Sequence, residues 1–150
     1  MATTWAGYPT NVPARHKARR RALDVLFEAD QRRVDITSTL ADRREITAAQ
    51  TPLPEFAAKI VAGVGERITD IDEVLATYSQ SWTVERMPAV DRAALRIGVW
   101  EILFSDTEDA VAVDEATTLV AELSTDDSPK FVNGLLSRVA LLKPAILAGM

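Results

Sequence analysis

Six of the seven residues in Arg15-His16-Lys17-Ala18-Arg19-Arg20-Arg21 are cationic or become so on protonation. On a helix, Arg15/Arg19, His16/Arg20 and Lys17/Arg21 are i,i+4 pairs, and like charges at that spacing repel. They also stand at the positive end of the helix dipole, where cations are disfavoured. A phosphate ligand offsets both penalties, because helix N-termini attract anions and Arg matches phosphate bidentately. Single-stranded RNA fits further, since bases stack on guanidinium planes. The competing reading is a solvated helix start with Arg20 and Arg21 paired to Asp24 and Glu28. A second candidate is Pro129-Lys130-Phe131-Val132-Asn133-Gly134. Lys130 and Phe131 at a helix start combine a charge with a stacking ring, as a nucleic-acid contact requires. The alternative makes Phe131 core and Lys130 surface. Gly134 in mid-helix predicts close approach of another helix or a ligand.

Other chemistries lack their residues. The chain has no Cys and one His, which excludes thiolate catalysis, disulfides, Cys-based zinc sites and two-His metal motifs. His16 is read as part of the basic cluster, not as a catalytic base. Gly63-Val64-Gly65 is not a phosphate loop, since no strand precedes it and no Lys-Ser/Thr follows; helix packing is its expected role. Asp70-Ile71-Asp72-Glu73 reads as a solvated face, and Asp114-Glu115 and Asp126-Asp127 as acids at helix starts. No enzyme, cofactor or metal is expected. No apolar run approaches the ~20 residues that span a bilayer. Met1–Pro13 has no basic start leading into an apolar segment. The expected compartment is the cytoplasm.

Net charge hides an asymmetry. Of 17 basic and 22 acidic residues, five Lys and Arg lie in residues 1–21, which contain no acid. A basic start on an acidic body points to a polyanion partner.

Helices must position these residues. Met1–Pro13 reads as a flexible tail, with Trp5 unconstrained. Ala18, Ala22, Val25, Leu26 and Ala29 give a helix from Ala14 to about Gln31. Ile36, Leu40 and Ile46 mark a short helix and loop over Ile36–Ala49, closed by Thr51-Pro52-Leu53-Pro54. Phe56, Ile60, Val64, Ile68, Ile71, Leu75 and Tyr78 then form a stripe of about six turns. A break at Gly63 or Gly65, giving two helices, is the alternative. Trp82–Met87 is one short turn before Pro88. Ala89–Ser105 is the most apolar helix and is expected to be central, with Trp100 in the core. Asp106–Asp109 is an acidic turn, followed by a helix over Val111–Leu123. The last helix runs from Pro129 to about Leu142, capped by Asp126 or Asp127 and stopped by Pro144. The class is all-α, with six or seven helices. Residues 14–150 form one helical domain with subdomains of about 14–80 and 81–150.

Three blocks resemble the NusB family of bacterial transcription antitermination factors over roughly residues 15–142. They are Ala18-Arg19-Arg20-Arg21-Ala22-Leu23-Asp24-Val25-Leu26-Phe27, Asp91-Arg92-Ala93-Ala94-Leu95-Arg96-Ile97-Gly98-Val99-Trp100-Glu101-Ile102, and Val113-Asp114-Glu115-Ala116 followed by Lys130-Phe131-Val132-Asn133-Gly134-Leu135-Leu136. The chain departs from the family where Asp114-Glu115 replaces the usual Asn-Glu and Leu119-Val120-Ala121 replaces Leu-Ala-Lys. The resemblance implies two perpendicular three-helix subdomains. It implies binding to boxA RNA of ribosomal RNA leaders, and pairing with the ribosomal protein NusE in an RNA polymerase antitermination complex. By position, Arg15, His16, Lys17, Arg19 and Arg20 would hold RNA phosphates. Lys130 and Phe131 would add a base-proximal contact with Asp127 beside them. Phe27 and Asp91 would lie near a shared RNA and NusE surface. The rival reading is a helical protein–protein module, such as a homodimer, without direct RNA binding.

Overall fold

The computed structural model describes residues 11–47 and 52–150. Trp5, the tail reading for residues 1–10 and the expected loop at 48–51 lie outside the described residues.

Eight α-helices and one 3-10 turn make up the described chain: α1 (Asn11–Arg32), α2 (Ile36–Thr47), α3 (Glu55–Glu66), α4 (Ile68–Tyr78), the turn Val84–Arg86, α5 (Ala89–Phe104), α6 (Asp109–Leu123), α7 (Ser128–Leu141) and α8 (Lys143–Ala148). The all-α expectation holds, with eight helices in place of six or seven. The extra helices have local causes. The stripe from Phe56 to Tyr78 breaks at Arg67, whose N–H is shared between the carbonyls of Gly63 and Val64, both at 3.2 Å. Gly63 has a packing reason, since a Cβ there would overlap the Trp100 ring. Pro144 starts α8 instead of ending the chain's helical course, because a first-turn proline gives up no helical hydrogen bond. α1 begins at Asn11, three residues before the expected start.

Asp35 starts α2 by accepting the Ser38 backbone N–H at 3.0 Å, a side-chain cap. Arg33, just past α1, takes φ 54°, and Val34 N–H bonds back to Ala29 O at 2.9 Å, so α1 ends in a left-handed turn.

α5 is the central helix: Ala93, Ala94, Leu95, Ile97, Val99, Trp100, Ile102 and Leu103 are all buried. It packs on α1 and α3 on one side and on α4, α6 and α7 on the other. α1, α2 and α3 pack on one another, while α4 packs mainly on α5 and α7. Arg92 and Arg96 tie α5 to its neighbours. Arg92 donates to Asp30 on α1 at 2.6 and 3.0 Å, and Arg96 donates to Asp72 on α4 at 2.8 and 2.9 Å. Asp72 is thus a structural ion-pair partner and not part of a merely solvated acidic face. Among the described residues, no helix is long and apolar enough to cross a membrane.

Candidate nucleic-acid interface

The basic start of α1 is sorted by its neighbours into inward and outward cations. Arg19 points inward. Its side chain is 3% exposed and that of Glu101, on α5, is 1% exposed. Arg19 Nε donates to both Glu101 oxygens at 3.1 and 3.0 Å, Nη2 to Oε1 at 2.9 Å, and Nη1 to Glu115 Oε1 on α6 at 3.3 Å. Thr107 Oγ1 donates to the same Glu101 at 3.2 Å. Buried charges persist only when paired and hydrogen-bonded, and the guanidinium fork satisfies that condition. The expectation that Arg19 holds an RNA phosphate is corrected by this burial. Its charge is matched by Glu101 and Glu115.

His16 lies one turn earlier. Its Nδ1 is 2.9 Å from Glu115 Oε1 and its Nε2 is 3.2 Å from Glu122 Oε1. Partial burial works against the charged ring. The hydrogen bonds and charges of Glu115 and Glu122 outweigh it, and the pKa is raised above the ordinary 6.5. His16 is therefore a strut between α1 and α6, held by two carboxylates. Arg15 lies over the Phe56 ring, with its guanidinium carbon 4.6 Å from the centroid. It lines a shallow pocket with Arg19, Asp106, Thr107, Glu108, Val111 and Glu115.

Lys17 and Arg20 point outward. Both are exposed, and neither joins an ion pair among the described residues. Lys17, Arg20 and Asp24 repeat at three and four residues, so they share the solvent face of α1. Glu28 accepts from Arg32 at 3.1 Å and from Arg43 at 2.6 Å.

The second cluster sits on an open groove of about 400 Å³ between the α4–α5 connection and the start of α7. Lys130, Phe131 and Asp127 line it together with Gln80, Trp82, Gly134 and Arg138. Lys130 and Asp127 are exposed, and Phe131 is half-buried with its inner side packed on the core. A Cβ added at Gly134 would meet nothing within 4 Å. The expectation of a helix closely approaching Gly134 is thereby corrected; its bare backbone faces the open groove.

Asp91 is a buried anchor at the start of α5. It is 2% exposed, and its Oδ1 accepts the Ser124 hydroxyl at 2.6 Å. Ser128 Oγ in turn donates to Ser124 Oγ at 3.0 Å, and Thr125 N–H donates to Ser128 Oγ at 3.2 Å. Asp91 thus anchors the α6–α7 turn from below and fixes where α7, with Lys130 and Phe131, begins. Asp127 precedes α7 but makes no side-chain cap, contrary to expectation. Phe27 is half-buried against the core on α1.

The structure does not merge the two clusters into one pocket. No α1 residue lines the Lys130 groove, and Lys130 does not line the Arg15 pocket. α6 lies between them: His16 contacts Glu122 near its C-terminal end, and the Ser124–Ser128 turn follows directly. Sequence reasoning missed Trp82, Arg138 and the acidic partners Glu101, Glu115 and Glu122. Glu101 carried a signal, because an acid inside the most apolar helix must find a buried cation.

The family model described as the NusB family matches residues 16–141. A transcription antitermination protein NusB of Beutenbergia cavernae is 55% identical over 142 residues, covering 89% of this chain and 93% of that protein. The protein of that name from Kineococcus radiotolerans is 57% identical over 136 residues, covering 90% and 98%. Among solved structures, antitermination factors NusB and NusE in complex with double-stranded RNA align with TM-score 0.73 at 27% identity, covering 85% of this chain and 96% of that one. NusB of T. maritima aligns with TM-score 0.70 at 29% identity, covering 85% and 90%. The chain belongs to the NusB family.

Proposed function

We propose that this protein is a non-enzymatic transcription antitermination factor. It binds boxA-type ribosomal leader RNA together with the NusE ribosomal protein, as part of an RNA polymerase antitermination complex. The observation that carries this reading is the exposed Lys130 beside the Phe131 ring on a groove left open at Gly134. A cation next to an aromatic face is the combination that single-stranded RNA uses. Lys17 and Arg20 extend the contact as outward phosphate ligands on α1, with Arg15 at their edge. Asp127 lies on the groove rim beside Lys130. Within this reading His16, Arg19 and Asp91 position the surface from inside, and Phe27 contacts the protein partner. The solved complex of NusB and NusE with double-stranded RNA supports RNA and NusE as the classes of partner.

The test is a titration of labelled boxA RNA and a scrambled RNA of equal length, with and without NusE, at two salt concentrations. Preference for boxA that strengthens with NusE is expected. Equal binding of both RNAs in every condition would remove RNA recognition from the reading.

A second reading, a helical protein–protein module such as a homodimer, draws on the α6–α7 face. There Leu141 is 79% exposed, on a groove it shares with Ala110, Val113 and Ala140. Sedimentation over a range of concentrations tests it, since a monomer at all concentrations excludes self-association.

A further inference from the structure

The α4–α5 connection brings a third element to the Lys130 groove. Trp82 is 45% exposed, the only Trp, Phe or Tyr among the exposed large hydrophobic residues described. Its backbone is fixed while the residue stays about half exposed. Ser79 Oγ donates to Trp82 O at 2.6 Å, closing the loop into a tight turn. Arg138 on α7 fastens the same loop, donating to Tyr78 O at 2.7 Å and to Gln80 Oε1 at 3.2 Å. A ring held half-exposed on a fixed backbone is preorganised to receive a flat ligand.

We propose that Trp82 is a base-stacking residue: with Phe131 it supplies the aromatic walls of a site for one unpaired RNA base, and Arg138 is the positioning residue that sets the loop. The proposal rests on the RNA-binding reading above and adds to it a specific subsite. Three features favour a base over a phosphate or a protein side chain. Two aromatic rings line one groove, and base–aromatic stacking tolerates any base. Gly134 leaves the floor free of side chain, which lets a flat ring approach the helix. Asp127 on the rim repels a phosphate but accepts from an exocyclic amine, as a carboxylate does from a cytosine amino group. Lys130 then takes the phosphate of the same or the next nucleotide. The base must come from a single strand, because bases within a duplex are stacked and out of reach.

The experiment uses the full chain with NusE and a boxA RNA. Trp82→Ala should weaken RNA binding about tenfold, and Trp82→Phe should restore most of the affinity. The salt dependence should stay that of the parent protein, because stacking releases no counterions. Scanning single abasic nucleotides should find one position where the abasic penalty disappears in Trp82→Ala. Tryptophan emission should be quenched by RNA in the parent and not in Trp82→Phe. Arg138→Gln should reduce both the affinity and this quenching while thermal unfolding of Trp82→Ala stays unchanged. Unaltered RNA affinity in Trp82→Ala, with the parent binding normally, would overturn the stacking site and leave the RNA reading intact. Loss of NusE binding in the absence of RNA, at unchanged RNA affinity, would reassign Trp82 to a protein contact. Failure of the parent to bind RNA at all would overturn both.

Discussion

Arg19 and Glu101, 82 residues apart in sequence, meet through three hydrogen bonds of 2.9 to 3.1 Å in the interior between α1 and α5. This pair turns one member of a basic run into a structural post, and it chooses which neighbours face outward. Removing one partner leaves an uncompensated buried charge. Arg19→Ala should therefore cost about 3–5 kcal/mol of stability, and Arg19→Met combined with Glu101→Leu should cost less than Arg19→Ala alone. Urea unfolding of the three variants measures this. A loss below about 1 kcal/mol in Arg19→Ala, the range of exposed pairs, would mean that the pair is not sealed as described.

Lys17 and Arg20 should behave in the opposite way. Lys17→Ala and Arg20→Ala should leave the unfolding midpoint where it is and weaken RNA binding across sequences. Each should flatten the dependence of log K on log salt by about 0.7, the value for one phosphate contact on a single strand. Binding isotherms at four salt concentrations give the slope directly, and a parent-like slope in both variants would place the phosphates elsewhere.

The glycines of α3 and α7 should respond with opposite signs. At Gly63 an added methyl meets the rigid indole of Trp100, so Gly63→Ala should destabilise by about 1–3 kcal/mol through overpacking. At Gly134 the methyl meets nothing, and helix propensity alone decides. Gly134→Ala should stabilise by about 0.5–1 kcal/mol. Thermal melts of both variants suffice, and the same sign for the two would contradict the packing described.

His16 makes stability depend on pH. Its folded pKa is raised by Glu115 and Glu122 against the opposing effect of burial. A raised cationic pKa contributes stability that is fully present below the unfolded value of about 6.5 and is lost as pH rises through the folded value. The difference in urea midpoint between the parent and His16→Gln should be largest in mildly acid solution and shrink above neutrality. A difference that grows with pH would mean that the ring is neutral in the folded protein.

The helices themselves were largely legible in the amino-acid sequence, because an apolar stripe at helical spacing is a local property. The centrality of α5 could be read from Ala93 to Leu103, and the family from three short blocks. The break stood as an alternative that the turn at Arg67, with its N–H shared between Gly63 and Val64, decided, and α8 was hidden by the usual meaning of proline. The candidate site was legible in residue type and not in direction. The run Arg15–Arg21 announces positive charge, but Glu101, Glu115 and Glu122 arrive from helices about a hundred residues further on and withdraw Arg19 and His16 from the surface. Asp91 looks like any acid near a helix start until Ser124 closes over it. The sequence by itself determined the helical class, the family and the reservoir of basic and aromatic residues, since these depend on local pattern. Only the tertiary structure decided which cations are free and that Trp82 shares a groove with Lys130 and Phe131, because both follow from contacts between segments distant in the chain.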